Sequence, residues 1–141
     1  MKAFDAYASG SKIENKLQLV GGGPLYDELS HFKNTLASAD GINLLGYRSD
    51  INKILRDSDL FALSSHYEAM PMTILESMAM GVPVVTTKVG GISKFISEDV
   101  VWFVPANDHN AMAEQFAAIL EESEKAEQKI ENAYKLVRDK Y

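Results

Sequence analysis

The chain has 141 residues, 46% hydrophobic and 24% charged, with a formal net charge of -6 and no cysteine. That length sustains one sizeable core rather than two, so a single domain over 1–141 is expected. The missing thiols exclude a disulfide framework and a thiolate metal site and fit a reducing, cytoplasmic setting, while an acidic balance without a Lys/Arg cluster argues against nucleic acid.

Lys2 to Tyr7 suits a helix fragment, and Met1 to Gly10 has no apolar stretch of a signal peptide. Leu17-Gln18-Leu19-Val20 reads as a short strand stopping at Gly21-Gly22-Gly23. Residues 24–39 carry Leu25, Leu29, Phe32 and Leu36 at helical spacing, with Pro24 suited to the first turn. Ile42 to Leu45 is a second strand ending at Gly46, Ile51 to Leu55 a short helix, and Leu60 to Leu63 a third strand ending in Ser64-Ser65. A helix from Pro71 to Met80 is closed by Gly81, where a left-handed residue is favoured.

Val82 to Thr86 is a fourth strand, Ile92 to Ile96 a short helix, and Val101 to Val104 a fifth strand halted by Pro105. Ala111, Phe116, Ile119 and Leu120 mark a further helix, with Asn107 or Asp108 as its cap, and Ile130, Tyr134 and Val137 mark the last. The longest apolar stretches, such as Met78 to Val85, are broken by Gly81 and Pro83, well short of the roughly 20 residues of a membrane span. Alternation of strands and helices predicts an α/β fold, a Rossmann-like open parallel sheet of about five strands with helices on both faces. Ligands of such sheets sit beyond the carboxyl ends of the strands, which directs attention to loops 21–24, 46–49, 64–71, 86–91 and 105–108.

Glycines in 21–23 allow close approach of a ligand or backbone, and the following helix start attracts an anion. The dinucleotide fingerprint nevertheless fails, because Tyr26 stands where a third glycine is required. Glu68 lies in the loop before the helix and Glu76 in its second turn, while the first-turn amides around Met72 and Thr73 point back toward that loop and suit a phosphate. From spacing alone the plainer reading is favoured, with Glu76 a solvated helix residue and Glu68 a favourable neighbour of the helix dipole.

The stretch from Ser64 to Val85 resembles the E-x7-E motif of the GT-B glycosyltransferases known as glycosyl transferases group 1, retaining enzymes that use nucleotide-activated sugars. The similarity runs from about Ala3 to Leu120, through Leu17-Gln18-Leu19-Val20-Gly21-x-Gly23-Pro24-Leu25, Leu45-Gly46-Tyr47, Ser58-Asp59-Leu60-Phe61-Ala62-Leu63-x-Ser65, Gly81-x-Pro83-Val84-Val85-x-Thr87, Val89-Gly90-Gly91 and Val104-Pro105 to Asp108. The resemblance implies that Glu76 accepts from the ribose hydroxyls of the nucleotide and that Glu68, the catalytic candidate, lies beside the transferred sugar. It further implies that the amides of Met72 and Thr73 hold the diphosphate, that the base packs at Gly46, Tyr47 and Arg48, and that Gly21 and Gly23 line the donor site.

Ala69 and Met70 replace the usual Gly and Phe after the first glutamate, and Val100 to Trp102 stand where a glycine-containing turn is common. Members of the family also have a first strand, an Arg/Lys loop that neutralises the leaving diphosphate, and a preceding acceptor-binding domain. The chain is therefore expected to be the C-terminal half of a GT-B fold lacking that strand and the N-terminal acceptor domain, and inactive in isolation. The implied donor is a UDP- or GDP-linked sugar, with no cofactor, a place in polysaccharide biosynthesis, and any membrane-surface association residing in the missing half. A non-catalytic nucleotide-sugar-binding or scaffold domain and a GT-B-type epimerase or phosphorylase are the alternatives.

Asp57-Ser58-Asp59 is a D-x-D, the metal signature of another glycosyltransferase fold, but it precedes a strand instead of following one. His66 lacks a Ser or Cys partner, and His31 and His109 lack ligand-spaced companions, so no metal site is expected. The Glu121 to Lys129 charge run reads as a solvated helix face, and Met70, Met72, Met78 and Met80 as packing residues.

Overall fold

The computed structural model describes residues 1–121 and 123–141, and the chain divides into two units, Met1–Ile51 and Asn52–Tyr141. In the first, helix α1 (Lys2–Gly10) buries Ala3, Phe4 and Tyr7, an apolar stripe at helical spacing. Strand β1 (Leu17–Val20) pairs in parallel with β2 (Ile42–Gly46). Leu17 lies opposite Ile42 and Leu19 opposite Leu44, but the register slips at the end so that Val20 meets Gly46. Asp5 of α1 accepts both the N–H and the hydroxyl of Ser38, each at 2.8 Å. These bonds favour the carboxylate and hold Asp5 below the usual carboxylate range.

The helix expected over 24–39 is shorter. Helix α2 covers Tyr26–Lys33, Pro24 lies ahead of it, and none of its residues is buried. Beyond Lys33 the amides of Asn34, Thr35 and Leu36 bond to carbonyls three residues back, and the Thr35 hydroxyl also donates to Phe32 O at 2.7 Å. Asn and Thr are poor helix formers that compete for backbone partners, so the chain leaves the α path and passes through a 3-10 turn, Ala39–Gly41.

The second unit follows α3 (Ile51–Arg56), which begins at the boundary. Its sheet has the order β3 (Phe61–Leu63), β4 (Val84–Thr87), β5 (Trp102–Val104), all parallel, with Ala62 beside Val85 and Val85 beside Trp102. The expected five parallel strands are thus present, two in one sheet and three in the other. β4 is central and buried at every position, as a parallel strand covered on both faces should be. Helix α4 (Met72–Ala79) sets Ile74, Leu75 and Met78 against a core that includes Val84, Ile92, Val101 and Ala133.

The α4 terminus shows why Gly81 stands where it does. Val82 N–H donates to Ser77 O and Gly81 N–H to Met78 O, the paired bonds of a Schellman motif, and Gly81 takes φ 72°. Helix α5 is Ile92–Phe95, α6 His109–Glu121 and α7 Ser123–Lys140. Asp108 caps α6 by accepting the Ala111 N–H at 2.9 Å.

Three expectations change in this unit. Tyr134 of α7 is exposed, and the buried residues of that helix include the small Ala126 and Ala133, which permit close approach to α4. Met78 is fully buried and Met70 packs on the core, but Met72 and Met80 are exposed at the two ends of α4. The charge run falls partly outside the described side chains. Within it, Lys129 turns inward, donating to Val101 O at 3.3 Å and lying 4.5 Å from the Trp102 ring centroid, and this burial lowers its pKa. Among the described residues no helix is long and apolar enough to cross a membrane.

Candidate functional site

The first unit gathers its candidates at the carboxyl ends of β1 and β2. Gly21 N–H donates to Gly46 O at 2.8 Å, and both glycines have positive φ, 126° and 64°, values that side-chain-bearing residues rarely adopt. Tyr47, highly exposed, lays its ring over Gly22, where an added Cβ would stand 2.6 Å from ring carbon Cε2. Gly23 O accepts the Tyr26 N–H, and the Tyr26 hydroxyl reaches back to Leu44 O at 3.2 Å. The loop and the start of α2 line an open, largely apolar cavity of about 370 Å³, including Val20, Leu25 and Leu29. Arg48 directs its guanidinium onto Asp50 through two bonds of 2.8 and 2.6 Å, which raises its pKa further. Its charge is engaged by a neighbour two residues away.

In the second unit the candidates lie at the carboxyl end of β3 and the start of α4. Pro71 occupies the N-cap and supplies no side-chain acceptor, so the first-turn amides of Met72 and Thr73 are left to an acceptor from outside the helix. The helix dipole favours an anion there. Glu76 is half-buried in the second turn, and its carboxylate makes no hydrogen bond or ion pair with another described residue. Glu68, also half-buried, accepts the Ser65 hydroxyl at Oε1, 2.7 Å away. Four donors and acceptors suited to a phosphorylated polyol therefore sit on one loop and one helix start. Among the described residues no cluster of three His, Asp or Glu side chains could hold a metal ion.

A second set of residues, whose part in the site the sequence reading did not assign, holds the Glu68 loop in place. The β3–β4 pairing brings loop 64–71 alongside the segment after β4. The Thr87 hydroxyl donates to Ser65 O at 2.5 Å, and Gly91 N–H donates to Glu68 O at 2.8 Å. Gly90 and Gly91 lie so close to the carbonyls of Glu68 and Ala69 that neither position has room for a Cβ. The available signal was a glycine pair shortly after a buried strand, a mark of close backbone approach. Asp57 and Asp59 sit before β3, away from its carboxyl end, in keeping with a turn role.

A family model described as "Glycosyl transferases group 1" matches residues 1–136. N-acetyl-alpha-D-glucosaminyl L-malate synthase of Bacillus anthracis is 32% identical over 115 residues, 81% of this chain and 30% of that protein. The UDP-Gal:alpha-D-GlcNAc-diphosphoundecaprenol alpha-1,3-galactosyltransferase of Escherichia coli is 28% identical over 96% of this chain and 38% of its own length. Among solved structures, Anabaena Alr3699/HepE in complex with UDP-glucose superposes with a TM-score of 0.88 at 23% identity, covering 99% of this chain and 40% of that one. The C-terminal domain of a glycosyl transferase group 1 family protein from Francisella tularensis gives 0.84 at 22% identity, with 99% of this chain and 76% of the domain covered. The chain thus spans about a third of the curated relatives it matches. With the family model matching nearly its whole length, the chain belongs to the glycosyl transferases group 1 family.

Proposed function

We propose that residues 1–141 are the C-terminal, donor-binding part of a retaining glycosyltransferase that moves a sugar from a nucleoside diphosphate to an acceptor hydroxyl. The observation that carries this reading is the start of α4, where Pro71 leaves the amides of Met72 and Thr73 without a side-chain cap, in a stretch of chain that runs from Glu68 to Glu76. The amides take the diphosphate, Glu76 accepts from the ribose hydroxyls, and Glu68 lies beside the sugar. Gly21, Gly23 and the main chain of Gly46, Tyr47 and Arg48 belong to the donor site, the last three at the base. As the bond from the anomeric carbon to the phosphate oxygen breaks, its electron pair stays on the diphosphate, and the helix start stabilises that charge.

Retention and the glutamate assignments rest on the motif resemblance. The Francisella domain, similar in fold and described as a C-terminal domain, supports the assignment of position in the whole protein. A uridine nucleotide is favoured because the Escherichia coli relative is named for UDP-Gal and the Anabaena structure holds UDP-glucose. Binding requires no separate cofactor. The acceptor site and the cationic groups that complete phosphate neutralisation lie outside this chain, so by itself it binds nucleotide weakly and transfers nothing.

Calorimetric titration with UDP, GDP and ADP tests the proposal. One nucleotide should saturate, and Glu76→Ala should weaken it about ten-fold, the effect of losing hydrogen bonds to a charged group. Equal binding by the variant, or turnover by the chain alone, would overturn it.

A further inference from the structure

The bonds around Glu68 divide its two carboxylate oxygens between different tasks. Oε1 takes the Ser65 hydroxyl, while Oε2 makes no hydrogen bond with a described residue. Ser65 is itself held, because its carbonyl accepts the buried hydroxyl of Thr87, the last residue of the fully buried strand β4. The Glu68 carbonyl accepts the Gly91 N–H, and the missing side chains at Gly90 and Gly91 let the two backbones meet. An exposed loop of eight residues between a strand and a helix, as here from 64 to 71, ordinarily samples many conformations. This one is anchored by two main-chain carbonyls, Ser65 to Thr87 at the end of β4 and Glu68 to Gly91 beyond that strand, and its glutamate side chain is held by Ser65 within the loop.

We propose that the segment Thr87–Gly91 is a buttress for the Glu68 loop and that Ser65 is a positioning residue, aiming the carboxylate so that Oε2 accepts a hydroxyl of the donor's sugar. The inference rests on the donor-site reading above and adds a division of labour to it. Thr87 fixes the loop's depth, the glycine pair fixes its distance from the neighbouring segment, and Ser65 selects the rotamer of Glu68. A side chain held in this way enters binding with its conformational entropy already spent, so loss of Ser65 should weaken sugar recognition without touching the nucleotide.

Two measurements on the chain test it. In the first, UDP, UDP-glucose, GDP and GDP-mannose are titrated, and the affinity of the sugar nucleotide is divided by that of its parent nucleotide. Ser65→Ala should lower this ratio about five-fold with nucleotide affinity unchanged, Ser65→Thr should restore it, and Glu68→Ala should lower it at least as far. A ratio moved by Glu68→Ala but not by Ser65→Ala overturns the positioning role alone. A ratio unmoved by either, or no saturable binding at all, overturns the donor-site reading beneath it.

The second measurement needs no ligand. The Gly91 amide should exchange slowly with solvent deuterium, and Thr87→Val should speed it about ten-fold while the Val85 amide in β4 stays as slow as before. Fast Gly91 exchange in the unaltered chain, or no response to Thr87→Val, removes the buttress. A general loss of structure is separated from both because it would accelerate Val85 as well.

Discussion

The two units contain the same supersecondary unit, a parallel strand, a loop and a helix, and they secure it in different ways. Around β1 and α2 the loop is made of glycines, and the helix buries none of its residues. The loop and helix are tied to their sheet through the Gly21 N–H on Gly46 O and the Tyr26 hydroxyl on Leu44 O. Around β3 and α4 the loop is fastened to the next strand's end, and the helix buries four residues, Ile74, Leu75, Ser77 and Met78. A loop can thus rest mainly on glycine conformations or be fastened to a buried strand, and the fastened loop is the one that holds the Glu68 side chain through Ser65.

The largest expected contrast is in packing. Met78→Ala should cost about 2–5 kcal/mol, because the thioether is fully buried and its removal leaves a cavity. Leu29→Ala on exposed α2 should stay within about 0.5 kcal/mol. Urea unfolding of both variants checks this, and comparable losses would erase the distinction between the two helices.

The glycine loops offer the next contrast. Gly90→Ala should cost about 1–3 kcal/mol, since φ is 54° and the new methyl would meet the Glu68 carbonyl. Gly23→Ala should be within about 0.5 kcal/mol or slightly stabilising, because its Cβ would enter open space at an ordinary φ. Thermal midpoints of the two variants decide between them, and a costly Gly23→Ala would mean that the first loop is as tightly determined as the second.

The smallest effect is on pH dependence. Asp5 has a folded pKa below its unfolded value because Ser38 donates to it twice. Its contribution is therefore complete above the unfolded value of about 4 and is lost as pH falls through the depressed folded value. Ser38→Ala removes the hydroxyl donor but keeps the backbone one, so the fall in the unfolding midpoint on acidification below about pH 4 should become shallower. An unchanged acid limb would assign that limb to other carboxylates.

Residue order alone determined the alternation of strands and helices, the five strands and the stop at Gly81, because each depends on local periodicity or on one residue's allowed φ, and it narrowed the α6 cap to Asn107 or Asp108, of which the structure shows Asp108. Glu68 and Glu76 stand out only through the longer motif, because their spacing alone fits solvated surface residues equally well. Tertiary structure decided the rest. The length of α2 depended on competition for carbonyls beyond Lys33, and Met72, Met80 and Tyr134 were sorted to the surface by which helix faces found neighbours. The support of Glu68 by Thr87, Gly90 and Gly91 was invisible in sequence because it joins residues about 20 positions apart, and only the parallel pairing of β3 with β4 brings them within hydrogen-bond reach.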